Sequence, residues 1–226
     1  MESGREETDL DIDSLLSGWQ PLQMIYLLAA AVGFSAPVPV YLDTWISPAI
    51  DFPRKGVTPD RLHTVGAEIT VNPSGYVESC RAYFVIGNPS MGPYTCRLIQ
   101  LRALFQPARD ANGHRTFGIY RQRMSWWMGK AKPPLEGNPD WDFVIPVSSV
   151  SPDLKLPELH RIKFEVDSAG SVSRCAADDA VEALGALACA QLSQKFKVEP
   201  ARTRSGKAVS SIQNIVVRYV RAENAR

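Results

Sequence analysis

The chain is poor in the residues on which most metal and nucleophile chemistry is built. Its 226 residues hold three histidines, His63, His114 and His160, and none stands at a ligand spacing from a cysteine. Zinc sites need four ligands at short, regular spacings, so no metal is expected. The four cysteines form no Cys-x-x-Cys pair, which removes the usual thiol-exchange signature. Gly87-Asn88-Pro89-Ser90 lacks the Gly-x-Ser-x-Gly form of a nucleophile elbow. No glycine-rich loop is spelled out that could cradle a phosphate. The chain therefore reads as a protein without cofactor that is not an enzyme. An excess of one charge is also missing. Lys and Arg number 25 against 24 Asp and Glu, so no global basic field draws the chain to nucleic acid. Long apolar runs are absent too. Met24–Ala36 (MIYLLAAAVGFSA) has the length of a signal-peptide core and is too short for a comfortable membrane span.

What the chain does have is a repeat. Glu68-Ile69-Thr70-Val71-Asn72-x-Ser74-Gly75-x-Val77-x-x-Cys80 has its counterpart in Lys163-Phe164-Glu165-Val166-Asp167-x-Ala169-Gly170-x-Val172-x-x-Cys175. Each copy runs on to a second cysteine, Cys96 or Cys189. Pro107-Ala108-Arg109 and Pro200-Ala201-Arg202 then follow at the same distance, and Gly113 and Gly206 come after them. A period of this length means two similar small domains in tandem rather than a solenoid. The repeat also sorts the cysteines two per copy, which predicts the bridges Cys80–Cys96 and Cys175–Cys189 and an oxidising compartment. Four free, buried cysteines in a cytosolic protein are the plainer alternative.

Residues 1–23 form an acidic extension, and a start at Met24 would leave 24–36 as an export signal or an anchor near the inner membrane. Residues 37–50 are a proline-rich linker leading to a first domain over 51–127. A short helix is expected at Thr58–His63, with Thr58 as N-cap and Pro59 at the first helical position. Ala67–Val71 and Tyr76–Phe84 read as a hairpin, and Ile162–Val166 with Ser171–Cys175 as its copy. Helices follow over Tyr94–Phe105 and Ala180–Phe196, where Cys96, Ile99 and Ala103, and then Leu184, Ala188 and Leu192, recur at helical spacing. Arg115–Trp127 and Ala208–Val220 close the copies as strands. The proline-rich stretch 128–160 is a second linker, in which Asp142–Ile145 is apolar enough for a short strand. The second domain spans 161–222. The fold class is α+β: two small β-β-α-β domains, each with a helix packed on an antiparallel sheet.

Asp51-Phe52-Pro53, Val71-Asn72-x-x-Gly75-x-Val77-x-x-Cys80, Thr95-Cys96-x-Leu98, Arg102-Ala103-x-Phe105-x-Pro107-Ala108-Arg109-Asp110, Gly113, Tyr120 and Trp126 together resemble the C-terminal domain of TonB-type energy transducers. The likeness is to cysteine-containing alphaproteobacterial forms. It covers 51–127 well and 162–221 more weakly. It implies a periplasmic module that binds an extended peptide of an envelope or outer-membrane receptor partner by adding a strand to a sheet edge. The last strand is the expected edge, with Tyr120, Arg121, Arg123, Ser125 and Trp126 as contacts. An unpaired edge also invites a homodimer. The alternative is a structural envelope protein whose repeats pack on each other, and the two readings differ in whether the last-strand edges are free. Arg109 and Arg202 are read either as partners of a carboxylate or of helix C-terminal carbonyls, or as ligand contacts. Trp126 and Trp127 must face opposite sides of a strand, which makes one of them core.

Overall fold

The computed structural model describes residues 33–129, 142–148, 156, 158–178, 182–195 and 198–222. The acidic extension 1–23, all but the last four residues of the apolar segment 24–36, and most of the expected linker 128–160 lie outside these. In chain order the elements are β1 (Val38–Val40), α1 (Leu42–Trp45), α2 (Pro48–Asp51), β2 (His63–Val71), β3 (Val77–Ile86), α3 (Met91–Arg102), β4 (Leu104–Gln106), β5 (Ala108–Arg109), β6 (Arg115–Trp126), β7 (Phe143–Val147), β8 (Glu158–Val166), β9 (Val172–Ala177), α4 (Glu182–Lys195), β10 (Ala201–Arg202), β11 (Ala208–Val209) and β12 (Ser211–Arg221). The class is α+β and mostly sheet.

Each repeat is a hairpin, a helix and a long closing strand, and the shared motifs have local causes. Asn72 Oδ1 accepts from the N–H groups of Ser74 and Tyr76, and Asp167 Oδ1 from those of Ala169 and Ser171. These side chains fold the β2–β3 and β8–β9 turns before any packing helps. Gly75 and Gly170 close the turns at φ 87° and 88°. A side chain there would also strike backbone: a Cβ would lie 2.2 Å from the Phe105 carbonyl oxygen at Gly75 and 2.6 Å from that of Val198 at Gly170. In both copies the turn glycine thus sits against the carbonyl two residues before the proline of Pro-Ala-Arg. That motif is a hairpin clip. Ala108 and Ala201 are buried, and Arg109 and Arg202 each donate to the carbonyl of their own turn glycine, Gly113 at 2.7 Å and Gly206 at 2.9 Å. The two arginines therefore hold neither a carboxylate nor a helix end.

Cys80 on β3 joins Cys96 on α3, and Cys175 on β9 joins Cys189 on α4, with Cα–Cα distances of 5.4 and 5.5 Å. Each bridge ties hairpin to helix across the core of its own repeat, as the pairing by repeat anticipates.

One sheet runs through both repeats, in the order β3-β2-β6-β12-β8-β9, with β5 on β6 and β7 on β12. The closing strands meet in parallel over three residues, with Ile212 beside Gly118 and Gln213 beside Ile119. Paired residues point to the same face. Tyr120 and Met124 pack with Cys96 and Ile99 of α3, whereas Ile215, Val217 and Tyr219 pack with Leu184, Ala188 and Leu192 of α4. Even-numbered residues face α3 and odd-numbered ones face α4, so the two helices lie on opposite faces. Near the β6–β12 junction, the face that each helix leaves open is covered by the other repeat. Arg204, at the tip of the β10–β11 turn, donates Nε to the Glu78 carbonyl and Nη2 to that of Val77. In return, Phe34 and Ala108 pack on Ile212, and Lys163 lies over the Phe34 ring.

Two expectations change, and the short strand expected at Asp142–Ile145 is present. The segment expected as linker 37–50 carries β1, α1 and α2, and Trp45 is core, its ring 4.8 Å from Phe105 and its Nε1 donating to the Val40 carbonyl. Thr58–His63 is not helical. His63 opens β2 instead, its ring bridging the Thr58 carbonyl and the Asn88 N–H. Residues 143–147, within the expected linker 128–160, form β7, whose Ile145 is fully buried.

Candidate functional site

The candidate edge is the far side of β6. Its near side pairs with β2 from His63↔Trp126 to Val71↔Gly118. On the far side, β12 takes Phe117, Gly118 and Ile119, while β5 pairs with Arg115 and Thr116 beyond the end of β2. From Tyr120 to Trp126 no strand pairs with that side among the described residues. β12 is different. β8 fills one side over Ser211–Tyr219, and β6 and β7 share the other, β7 over Val217–Arg221.

The five residues expected to make contact separate by face. Tyr120 and Trp126 are core and are corrected as contact residues. The Tyr120 ring packs 5.4 Å from Phe105 and its hydroxyl donates to Gln122 Oε1. Burial pushes its phenol above the usual range. Trp126 is 0% exposed and its Nε1 donates to Thr95 Oγ1 at 2.9 Å, which fixes β6 to α3. Trp127, past the strand end, is half-buried. Arg121 and Arg123 do reach the other face. Arg121 donates Nε and Nη2 to Glu68 Oε2, both at 3.0 Å, while Arg81 donates to Glu68 Oε1 at 2.8 Å. Burial raises the Glu68 carboxyl, but the Arg81 hydrogen bond and the charges of Arg121 and Arg81 outweigh it, so the group stays ionised below the ordinary glutamate range. Arg123 stacks over the Phe84 ring at 5.8 Å. Phe84 in turn lies over Gly66, where a Cβ would meet the ring at 2.1 Å.

Two hollows flank the edge. On one side Leu42, Trp45, Ile46, Pro48, Met124 and Ser125 line a mainly apolar one. On the other, Tyr83, Arg121, Arg123, Asp142 and Val216 line a charged one. Burial, and then the Asp142 charge, push Tyr83 up against the pull of Arg123. An added strand would offer successive side chains alternately to an apolar and a charged surface.

The residues that sequence reasoning left unassigned are those of the α2–α3 corner. Asp51 is buried and holds Arg102 through two bonds, Nη1 to Oδ2 at 2.7 Å and Nη2 to Oδ1 at 2.9 Å. Asp51-Phe52-Pro53 and Arg102-Ala103 both stood out as motif positions, but nothing in their spacing said that they touch. Among the described residues, no group of three or more His, Cys, Asp or Glu could hold a metal ion. No helix among them is long and apolar enough to cross a membrane. The two disulfides indicate an oxidising, extracytoplasmic setting. Comparison of the chain with protein-family models, with curated proteins and with solved structures finds no match.

Proposed function

We propose that this chain is a non-enzymatic binding module of the periplasm, two tandem β-β-α-β domains of the TonB C-terminal type, that captures an extended segment of an envelope protein or outer-membrane receptor by strand addition. The observation that carries the reading is the far side of β6. Beyond Ile119 it has no strand partner among the described residues, and it lies between a mainly apolar hollow and a charged one. Main-chain bonds would supply affinity there, and the hollows a preference for side chains. Arg121 and Arg123 act as the specificity contacts, and Tyr120 and Trp126 hold the strand in place from beneath. The part of 24–36 that precedes Phe34 would keep the module close to the inner membrane, since Phe34 itself packs on Ile212.

A structural role is the second reading, and one observation favours it. The closing strands pair with each other, and β12 has no side left open. The two readings separate in an NMR titration of the oxidised full-length protein with peptides from the periplasm-facing N-termini of outer-membrane receptors. Capture predicts shifts confined to Tyr120–Trp126 and the Arg121 and Arg123 side chains. Absence of shifts at millimolar peptide, with the 120–126 amides already protected in the free protein, would refute capture and leave the structural role.

A further inference from the structure

The segment on the open end of β12 comes from outside both repeats. β12 leaves β6 after Gln213, and the vacated side is taken by β7, in parallel, from Val217↔Phe143 to Arg221↔Val147. The pairing starts with a side chain. The Asp142 N–H donates to the Val216 carbonyl at 2.8 Å, and Asp142 Oδ2 accepts from the Val216 N–H at 2.9 Å. The carboxylate thus stands in for a main-chain acceptor at the first rung of the pairing. After it the residues alternate. Ile145 and Val147 enter the core of the second repeat with Val217 and Tyr219, Phe143 packs against that core, and Pro146 is exposed. Pro146 brings no N–H to the pairing.

We propose that the end of β12 is a second strand-acceptor site, which the chain closes with its own residues Asp142–Val147, and that these act as an internal ligand. The partner that fits is an extended segment with a carboxylate followed by apolar side chains at every second position. Three features support exchange over permanent core. The segment is five paired residues long. It is held on one side only, among the described residues. It also lies between proline-rich stretches, Pro133, Pro134 and Pro139 before it and Pro152 and Pro157 after it. Tethering gives it an effective concentration on the order of millimolar, so a free peptide competes only when the internal strand is weakened. The inference shares strand addition with the function proposed above but places it on a different strand.

The test uses the oxidised full-length chain and an acetylated, amidated peptide of residues 142–148, Asp-Phe-Val-Ile-Pro-Val-Ser. Wild type should show no shifts at Val217–Arg221 with about 50 μM peptide, roughly twentyfold below the tethered concentration. Ile145→Ala should bind it at least about tenfold tighter, with shifts at those residues. Equal affinity for the two proteins, or no binding to either, would overturn the proposal. Shifts confined to Tyr120–Trp126 would overturn it too, while leaving capture by β6 intact. Should Ile145→Ala fail to fold, protease sites placed in 131–140 and 149–155 of the full chain allow the native segment to be cut free. Uptake of labelled peptide, with β8 and β12 amides protected again, is the expected result. Loss of that protection that the peptide does not restore would show the segment to be ordinary core. Failure of receptor peptides to move Tyr120–Trp126 would count against the β6 site alone.

Discussion

Replacing Ile145 by alanine should cost the fold about 3 kcal/mol, although the residue lies in a stretch that composition marks as linker. Ile145 is 0% exposed and packs with Ile162, Phe164, Ile215, Val217 and Tyr219. The change removes about three carbon groups, worth about 2.4 kcal/mol of transfer at ~0.8 kcal/mol each. A partly relaxed cavity raises this towards the middle of the ~2–5 kcal/mol range for such truncations. For a folded unit of this size, about 3 kcal/mol lowers the melting temperature by roughly 6–12 °C. Urea unfolding of oxidised wild type and variant, followed by tryptophan fluorescence and circular dichroism, gives the difference directly. Val144→Ala is the matched control: Val144 is half-buried and alternates to the other face, so its loss should stay under about 1 kcal/mol. The reasoning fails if Ile145→Ala costs less than about 1 kcal/mol, or no more than Val144→Ala does.

Gly170→Ala and Gly206→Ala should differ. Both positions have φ near +85° (88° and 84°), but a Cβ at Gly170 meets the Val198 carbonyl at 2.6 Å and one at Gly206 meets nothing. Gly206→Ala should therefore cost about 1–2 kcal/mol of conformational strain, and Gly170→Ala at least about 1 kcal/mol more, because backbone must move. Equal losses in urea would refute the carbonyl contact. Acid should destabilise the protein through Asp51 and Glu68. The Arg102 hydrogen bonds lower the Asp51 carboxyl despite its burial, and Glu68 is lowered on balance by its two arginines. Their contribution is therefore present above the unfolded-state values of roughly 4 and is lost as pH falls through the lower folded values. Urea midpoints between pH 7 and 2 should fall less steeply for Asp51→Asn with Glu68→Gln than for wild type. Each disulfide closes a short loop, with sequence separations of 16 and 14. Replacing either pair by alanine should cost about 3 kcal/mol, measurable against oxidised wild type.

Much of each repeat could be read in the chain because its signals are local. Asn72 and Asp167 turn the chain by themselves, the helix stripes recur at 3.6-residue spacing, and two cysteines per copy leave one sensible pairing. The helix boundaries shifted by a few residues because α3 starts at Met91, with Pro93 tolerated in a first turn whose N–H groups have no helical partner. What the chain concealed depends on contacts remote in sequence. Trp126 looked like an edge aromatic, but its indole N–H reaches Thr95 on the helix. Trp45 was lost among prolines, since proline density reports backbone stiffness and not burial, whereas the apolar run Asp142–Ile145 did mark a strand. The parallel meeting of β6 and β12 had no local signal. It follows from the covering of each sheet's open face by the other repeat, which only the assembled fold displays.

Continuity through β6 and β12 couples the two repeats energetically. If they were independent domains on a flexible linker, each would lose its own helix and hairpin on heating without disturbing the other. Here the loss of either repeat strips the other of a strand neighbour at Phe117–Ile119 or Ser211–Gln213 and uncovers a sheet face. On one side that face is closed by Arg204 on Val77 and Glu78, and on the other by Phe34 and Ala108 on Ile212. Differential scanning calorimetry of the oxidised chain should therefore give one transition with equal calorimetric and van't Hoff enthalpies. Ile145→Ala, in the core of the second repeat, and Trp126→Phe, in that of the first, should move that single transition together. Two transitions, each answering to a change in one repeat only, would mean that the β6–β12 pairing is too weak to join the repeats, and β6 would then be open to a partner strand along its full far side.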